Sequence, residues 1–265
     1  MEPSFFSAEN YQWQLSLMAL VATVAIPKLI GLVLKRVVPG CKDIARLNKE
    51  AAQERKKLSY YKPIIIRSAS WGIATQLAIF AFILPFCMTA QPQPWWQMPL
   101  DIFIILMFYD FFYYLTHRFL FHDGGFGPGP LMWVHSVHHQ RRNPCRGDSA
   151  YLHPIETCMG LALYGLSIAA LAAMMGDFHV VTIIITWIAF SEINQHNHDL
   201  QEEERFPFKY LKYMSYMHHV HHARFTAGNF ATISLLYDWM FGTYDSGDGW
   251  KKPKKASPAK AKPAQ

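Results

Sequence analysis

Apolar residues in this chain gather into long unbroken runs, not into the stripes of soluble amphipathic helices. No charged residue occurs between Glu9 and Lys28, between Arg67 and Asp101, or between Glu156 and Asp177. A helix of about 20 apolar residues is long enough to cross the hydrocarbon core of a bilayer. The pattern predicts spans near 12–34, 65–89, 99–116 and 157–176, with a shorter apolar piece near 178–194. Helices buried in a soluble core usually keep a polar face, and these runs have none. The expected fold is all-α: a multi-pass transmembrane helical bundle of about four spans plus a short apolar hairpin segment.

The polar segments orient the bundle. Segment 35–67 carries Lys35, Arg36, Lys42, Arg46, Lys49, Arg55, Lys56, Lys57, Lys62 and Arg67. Segment 91–98, "QPQPWWQM", carries no Lys or Arg, and Trp95 and Trp96 suit an interfacial aromatic belt. Cytoplasmic loops are the Lys- and Arg-rich ones, so 35–67, 117–156 and everything after about 195 are expected on the cytoplasmic side, with the N-terminus outside. Glu2 and Glu9 stand where a signal peptide would carry basic residues, so the first span is not expected to be cleaved. Either a bacterial inner membrane or the endoplasmic reticulum fits.

Three regions follow: a transmembrane region with a basic loop over 1–98, a catalytic region over 99–245, and a disordered basic tail over 246–265. The net charge of +6 owes much to that tail, "KKPKKASPAKAKPAQ", which suits anionic lipid. With no folded reader beside it, nucleic acid is not an expected partner. Cys41, Cys87, Cys145 and Cys158 form no CxxC pair and read as reduced thiols.

Histidine carries the chemistry. All 13 histidines lie between residues 117 and 222, mostly just past the cytoplasmic ends of the predicted spans, as "HRFLFH", "HSVHH", "HNH" and "HHVHH". Residues three and four apart share a helix face, so His135, His138 and His139 should point one way, and likewise His218, His221 and His222. His219 is turned roughly 100° from His218 and should face elsewhere. His117 and His122, five apart, diverge by about 140° on an ideal helix and converge only if it ends or bulges between them. Asp110 lies on the face of His117, where a carboxylate would hold the imidazole tautomer. His179 reads as structural, and His153 in "HPIE" is placed to line the site. Nine or ten imidazoles exceed what one ion takes, so two metals are implied. Imidazole suits Zn, Cu, Fe and Ni alike, although zinc has no redox change to offer oxygen chemistry.

These boxes, in this order, resemble the fatty acid hydroxylase / sterol desaturase superfamily of integral-membrane oxygenases. The likeness extends to "DFFYYLTHR" before the first box, "HPIE" after the second, and "ARFTAGNFATISLLYDWMFGTY" after the last, covering roughly 100–245. The resemblance implies ligands at His117, His122, His135, His138, His139, His196, His218, His221 and His222, with His198 a further candidate in the middle box. It also implies a cytosolic helical cap on the membrane bundle that carries the histidine boxes and holds two iron ions, with O2 as co-substrate and an external electron donor. The chain has no G-x-G-x-x-G between a strand and a helix, so it binds no dinucleotide of its own. Electrons would therefore come from cytochrome b5, ferredoxin or a reductase. The expected function is O2-dependent hydroxylation or desaturation of a lipid, such as a fatty acyl chain or sterol. Two other classes compete: a histidine-rich metal transporter, whose ligands should lie near mid-bilayer, and a catalytically silent lipid-binding relative.

Overall fold

The computed structural model describes residues 7–248. Each apolar run forms a helix. In chain order these are α1 (Trp13–Val37), α2 (Pro39–Lys56), α3 (Tyr61–Phe82), α4 (Gln97–Thr116), α5 (Met132–His139), α6 (Pro154–Met175), α7 (Val180–His196), α8 (Phe208–Ala223) and α9 (Leu236–Met240). With their short continuations, α1, α3, α4 and α6 are long and apolar enough to cross a membrane. Leu17, Val21, Leu29, Leu32 and Val33 stay exposed along α1, a surface suited to lipid and not to water.

The short apolar piece is no hairpin. It is α7, a continuous helix of 17 residues packed along α1. It begins where Gly176, at φ 92°, ends α6. The His179 side chain accepts from the Val181 amide to cap its first turn. Just before α7, the two-residue strand β2 (Phe178–His179) pairs in parallel with β1 (Met88–Thr89). The core lies between α3, α4, α6 and α7, where Tyr164 stacks on Phe190 at 4.3 Å and Phe80 meets Trp187 edge-on at 4.6 Å.

At the other end of these helices, the basic helix α2 is bound to the loop before α6. The buried Asp148 accepts from Tyr61 Oη at 2.9 Å and pairs with Arg55 at 3.4 Å. Asn48 bonds Arg146 on one side and Leu200 on the other. Most of the basic tail expected over 246–265 lies outside the described residues; its described start is tied to Arg224, which donates to the Asp248 carbonyl at 2.6 Å. The four cysteines are free thiols.

Candidate metal centre

The chain leaves α4 through a π-helical turn, His117–Phe121, and ends it at His122 in extended backbone, φ −123°. A π turn takes more residues per revolution than an α turn, so the bulge and the helix end together bring His117 and His122 to the same place, with ring centroids 5.0 Å apart. There they meet His135, His139 and His221, the potential ligand atoms of all five lying within 4.8 Å of one another. A second group under the same limit holds His138, His198, His218 and His222. The groups abut where His139 and His222 stack at 4.7 Å.

Neither HxxHH helix therefore serves a single group. On α5 the i, i+4 pair His135 and His139 enters the first group, and His138 enters the second. On α8 the i, i+4 pair His218 and His222 enters the second, and His221 enters the first. Adjacent residues differ by about 100° around a helix, so the three imidazoles fan out and each helix wedges between two centres. His219, the fourth histidine of α8, belongs to neither.

The ring nitrogens are sorted by role. His117 donates through Nδ1–H to the Phe230 carbonyl at 2.6 Å, His122 to Phe225 at 2.8 Å, and His221 to Gly228 at 2.8 Å. His138 donates to Tyr151 at 3.2 Å, His198 to Asn194 at 2.8 Å, and His135 to the Glu156 carboxylate at 2.7 Å. Carbonyl oxygens only accept, so each neutral ring that faces one keeps its proton on Nδ1 and presents a bare lone pair at Nε2. Those lone pairs converge: Nε2 of His117 lies 2.9 Å from that of His135, and Nε2 of His138 lies 3.1 Å from that of His198. The His122 Nε2 is buried with no hydrogen-bond partner among the described residues.

Protonation does not relieve the clash. Burial pushes His135, His138, His139, His218 and His222 well below the usual imidazole range, and neighbouring imidazoles push them further. Burial likewise lowers His198 and His221 to about 4 and His122 to about 2. Neutral imidazoles with converging lone pairs repel unless a cation lies among them. This donor set fits two metal ions, one per group.

The remaining expected site residues stand elsewhere. His196 belongs to neither group; its Nδ1 faces Asp199 at 3.0 Å and its Nε2 the Leu211 carbonyl at 3.2 Å. α7 ends at His196, and the turn beyond it carries His198 inward instead. Asp110 does not reach His117, because the Phe230 carbonyl occupies the Nδ1 position. Its carboxylate accepts from the amides of Thr232, Ile233 and Ser234 at 2.8–3.1 Å, fixing the loop that carries Phe230. His153 caps α6 through the Ile155 amide. Glu156, on the first turn of α6, is the side chain that spacing alone did not single out. Its Oε2 is buried without a hydrogen-bond partner among the described residues, while Oε1 holds His135.

A cavity of about 420 Å³ rises from this floor between α3, α4, α6 and α7. His117 and His135 of the first group and His138, His198 and His218 of the second all line it, and its walls include Tyr109, Leu163 and Phe190. A mostly apolar chamber with a few convergent polar groups is the usual form of a small-molecule site.

The fatty acid hydroxylase family profile matches residues 102–243, more than half of the chain, which contains both groups, and the protein belongs to that family. No curated protein and no solved structure matches the chain.

Proposed function

We propose that this protein is a membrane lipid oxygenase that binds one iron ion in each histidine group and uses O2 to hydroxylate or desaturate a lipid delivered from the bilayer. The observation that carries this reading is the shared floor: both histidine groups open into a single apolar chamber walled in part by α3, α4 and α6, which are long enough to span a membrane. A lipid chain entering that chamber meets both groups at once. Ligands at the ends of the apolar helices, not midway along them, speak against a transport path.

Iron, when bound, would supply the redox change that breaking an inert C–H bond with O2 requires and that no side chain offers. The residues of the chain hold and orient. The carbonyls of Phe230, Phe225, Gly228, Tyr151 and Asn194 lock their imidazoles in one tautomer. The Glu156 carboxyl holds His135 at Nδ1 and so orients its Nε2 towards the other imidazoles of its group. Tyr109, Leu163 and Phe190 give the chamber apolar walls. Electrons come from an external carrier such as cytochrome b5, ferredoxin or a reductase, received on the cytoplasmic side. Support for that side is the packing of the basic helix α2 against the histidine-bearing end.

The test supplies the purified chain with ferrous iron, a reductase chain, 18O2 and a membrane lipid extract. Label entering a lipid, or O2-dependent loss of two hydrogens from one, is the expected result. Full turnover with zinc alone, or without oxygen, would falsify the reading.

A further inference from the structure

A second and larger cleft, of about 1160 Å³, lies between α1, α2 and α7. One wall is a single stripe of α1: Val24, Lys28, Gly31 and Lys35 all line it, at spacings of three and four residues that put them on one face. Lys49 of α2 adds a third ammonium group. The carboxylates lining the cleft are those of Glu192 and Asp199. Both are taken by Arg146, and Asp199 also faces His196. Among the described residues, Lys28, Lys35 and Lys49 have no ion-pair partner.

Lys28 is the unusual member. It interrupts the apolar run of a membrane-length helix, seven residues and therefore about 10 Å from Lys35 along the axis. An ammonium group at that depth is costly and is retained only where something neutralises it. Its long stem lets the charge reach back towards the polar end, which is where Lys35 stands. Part of the remaining lining is apolar, with Val24, Leu32 and Leu34 on α1 and Trp187 on α7. The occupant must therefore combine an anionic head with apolar tails.

We propose that this cleft binds an anionic phospholipid, with its phosphate held by Lys28, Lys35 and Lys49 and its chains lying along Val24, Leu32 and Trp187. The site is separate from the histidine chamber, and the inference does not depend on the oxygenase reading. The two cavities share a polar partition that includes Gln76, Ser191 and Gln195. That partition keeps the apolar chains of the bound lipid in the outer cleft.

The full chain is reconstituted in phosphatidylcholine vesicles containing a minor share of phosphatidylglycerol and then extracted. The lipid that stays bound is counted by native mass spectrometry. Wild type is expected to retain phosphatidylglycerol in preference to phosphatidylcholine. Lys28→Gln and Lys35→Gln are each expected to lose about fivefold of that preference, the equivalent of about 1 kcal/mol per basic residue. Lys28→Arg keeps the charge and should keep the preference. Lys42→Gln, on the exposed face of α2 outside the cleft, should leave it unchanged. Adding inorganic phosphate should not displace the lipid, because phosphate alone lacks the tails. Equal retention by wild type and both glutamine variants overturns the assignment. An equal loss in Lys42→Gln, or displacement by phosphate, does the same.

Discussion

His196 and His198 stand two residues apart in one box, and only His198 sets its Nε2 against His138 and His218, at 3.1 Å from each. Helical spacing gave no means of choosing between them, because the choice is made in the turn after α7, where no periodicity holds. A metal-content measurement on purified variants separates the two. His198→Ala should lose one of two ions per chain, as should His218→Ala and His222→Ala. His196→Ala and His219→Ala should keep both. Metal loss in His196→Ala with retention in His198→Ala would mean that the second group is wrongly composed. For His219 the spacing argument sufficed, since the residue lies mid-helix. For Asp110 it identified the correct face but not the partner. The loop at Thr232–Ser234, more than 120 residues further along the chain, lies between the carboxylate and His117, and such long-range packing leaves no local mark in the sequence.

Among the elements, the segment after α8 has a role that its side chains barely reveal. It forms a shelf of backbone carbonyls: Phe225 faces His122, Gly228 faces His221 and Phe230 faces His117. Every imidazole so held belongs to the first group. The side chains that shape the shelf are few. Asp238 accepts from the amides of Phe230 and Ala231 at 2.8 Å, and Asn229, at φ 62°, bonds Met217 and Asp245. Gly228 lies so close to the Thr243 carbonyl that any Cβ would collide with it. Backbone cannot yield as a flexible side chain does, so Gly228→Ala should destabilise the fold by about 3 kcal/mol or more. The expected readout is a lower Tm together with weakened metal in the first group and little change in the second. An unchanged Tm and full metal content would show that the shelf does not hold the ligands. The histidine boxes were legible because they are side chains at fixed spacing. The shelf was not, because carbonyls are common to every residue.

For the molecule as a whole, the apolar runs foretold the helices to within a few residues, since length and hydropathy alone set a membrane-length helix. For α7 the expected piece 178–194 and the helix Val180–His196 have the same length and are offset by two residues, because the polar residues after Ser191 end the apolar run without ending the helix. Direction follows from a separate asymmetry. The basic segment around α2 and the histidine groups share one end of the bundle, joined by the contacts of Arg55 with Asp148 and Asn143, while β1 and β2 lie at the other. Because basic loops are held on the cytoplasmic side, every ligand should face the cytoplasm together with α2. Ser136 and Thr226 are both exposed at that end, on α5 and on the shelf, and changing either to cysteine disturbs no proposed ligand. In intact, right-side-out cells an impermeant maleimide should leave both cysteines unlabelled, and permeabilisation should expose both, above the background of the native thiols. Labelling of either from outside would invert the bundle. It would move the proposed electron donor to the opposite face without altering the composition of the two groups, so orientation and metal binding fail or stand by separate measurements.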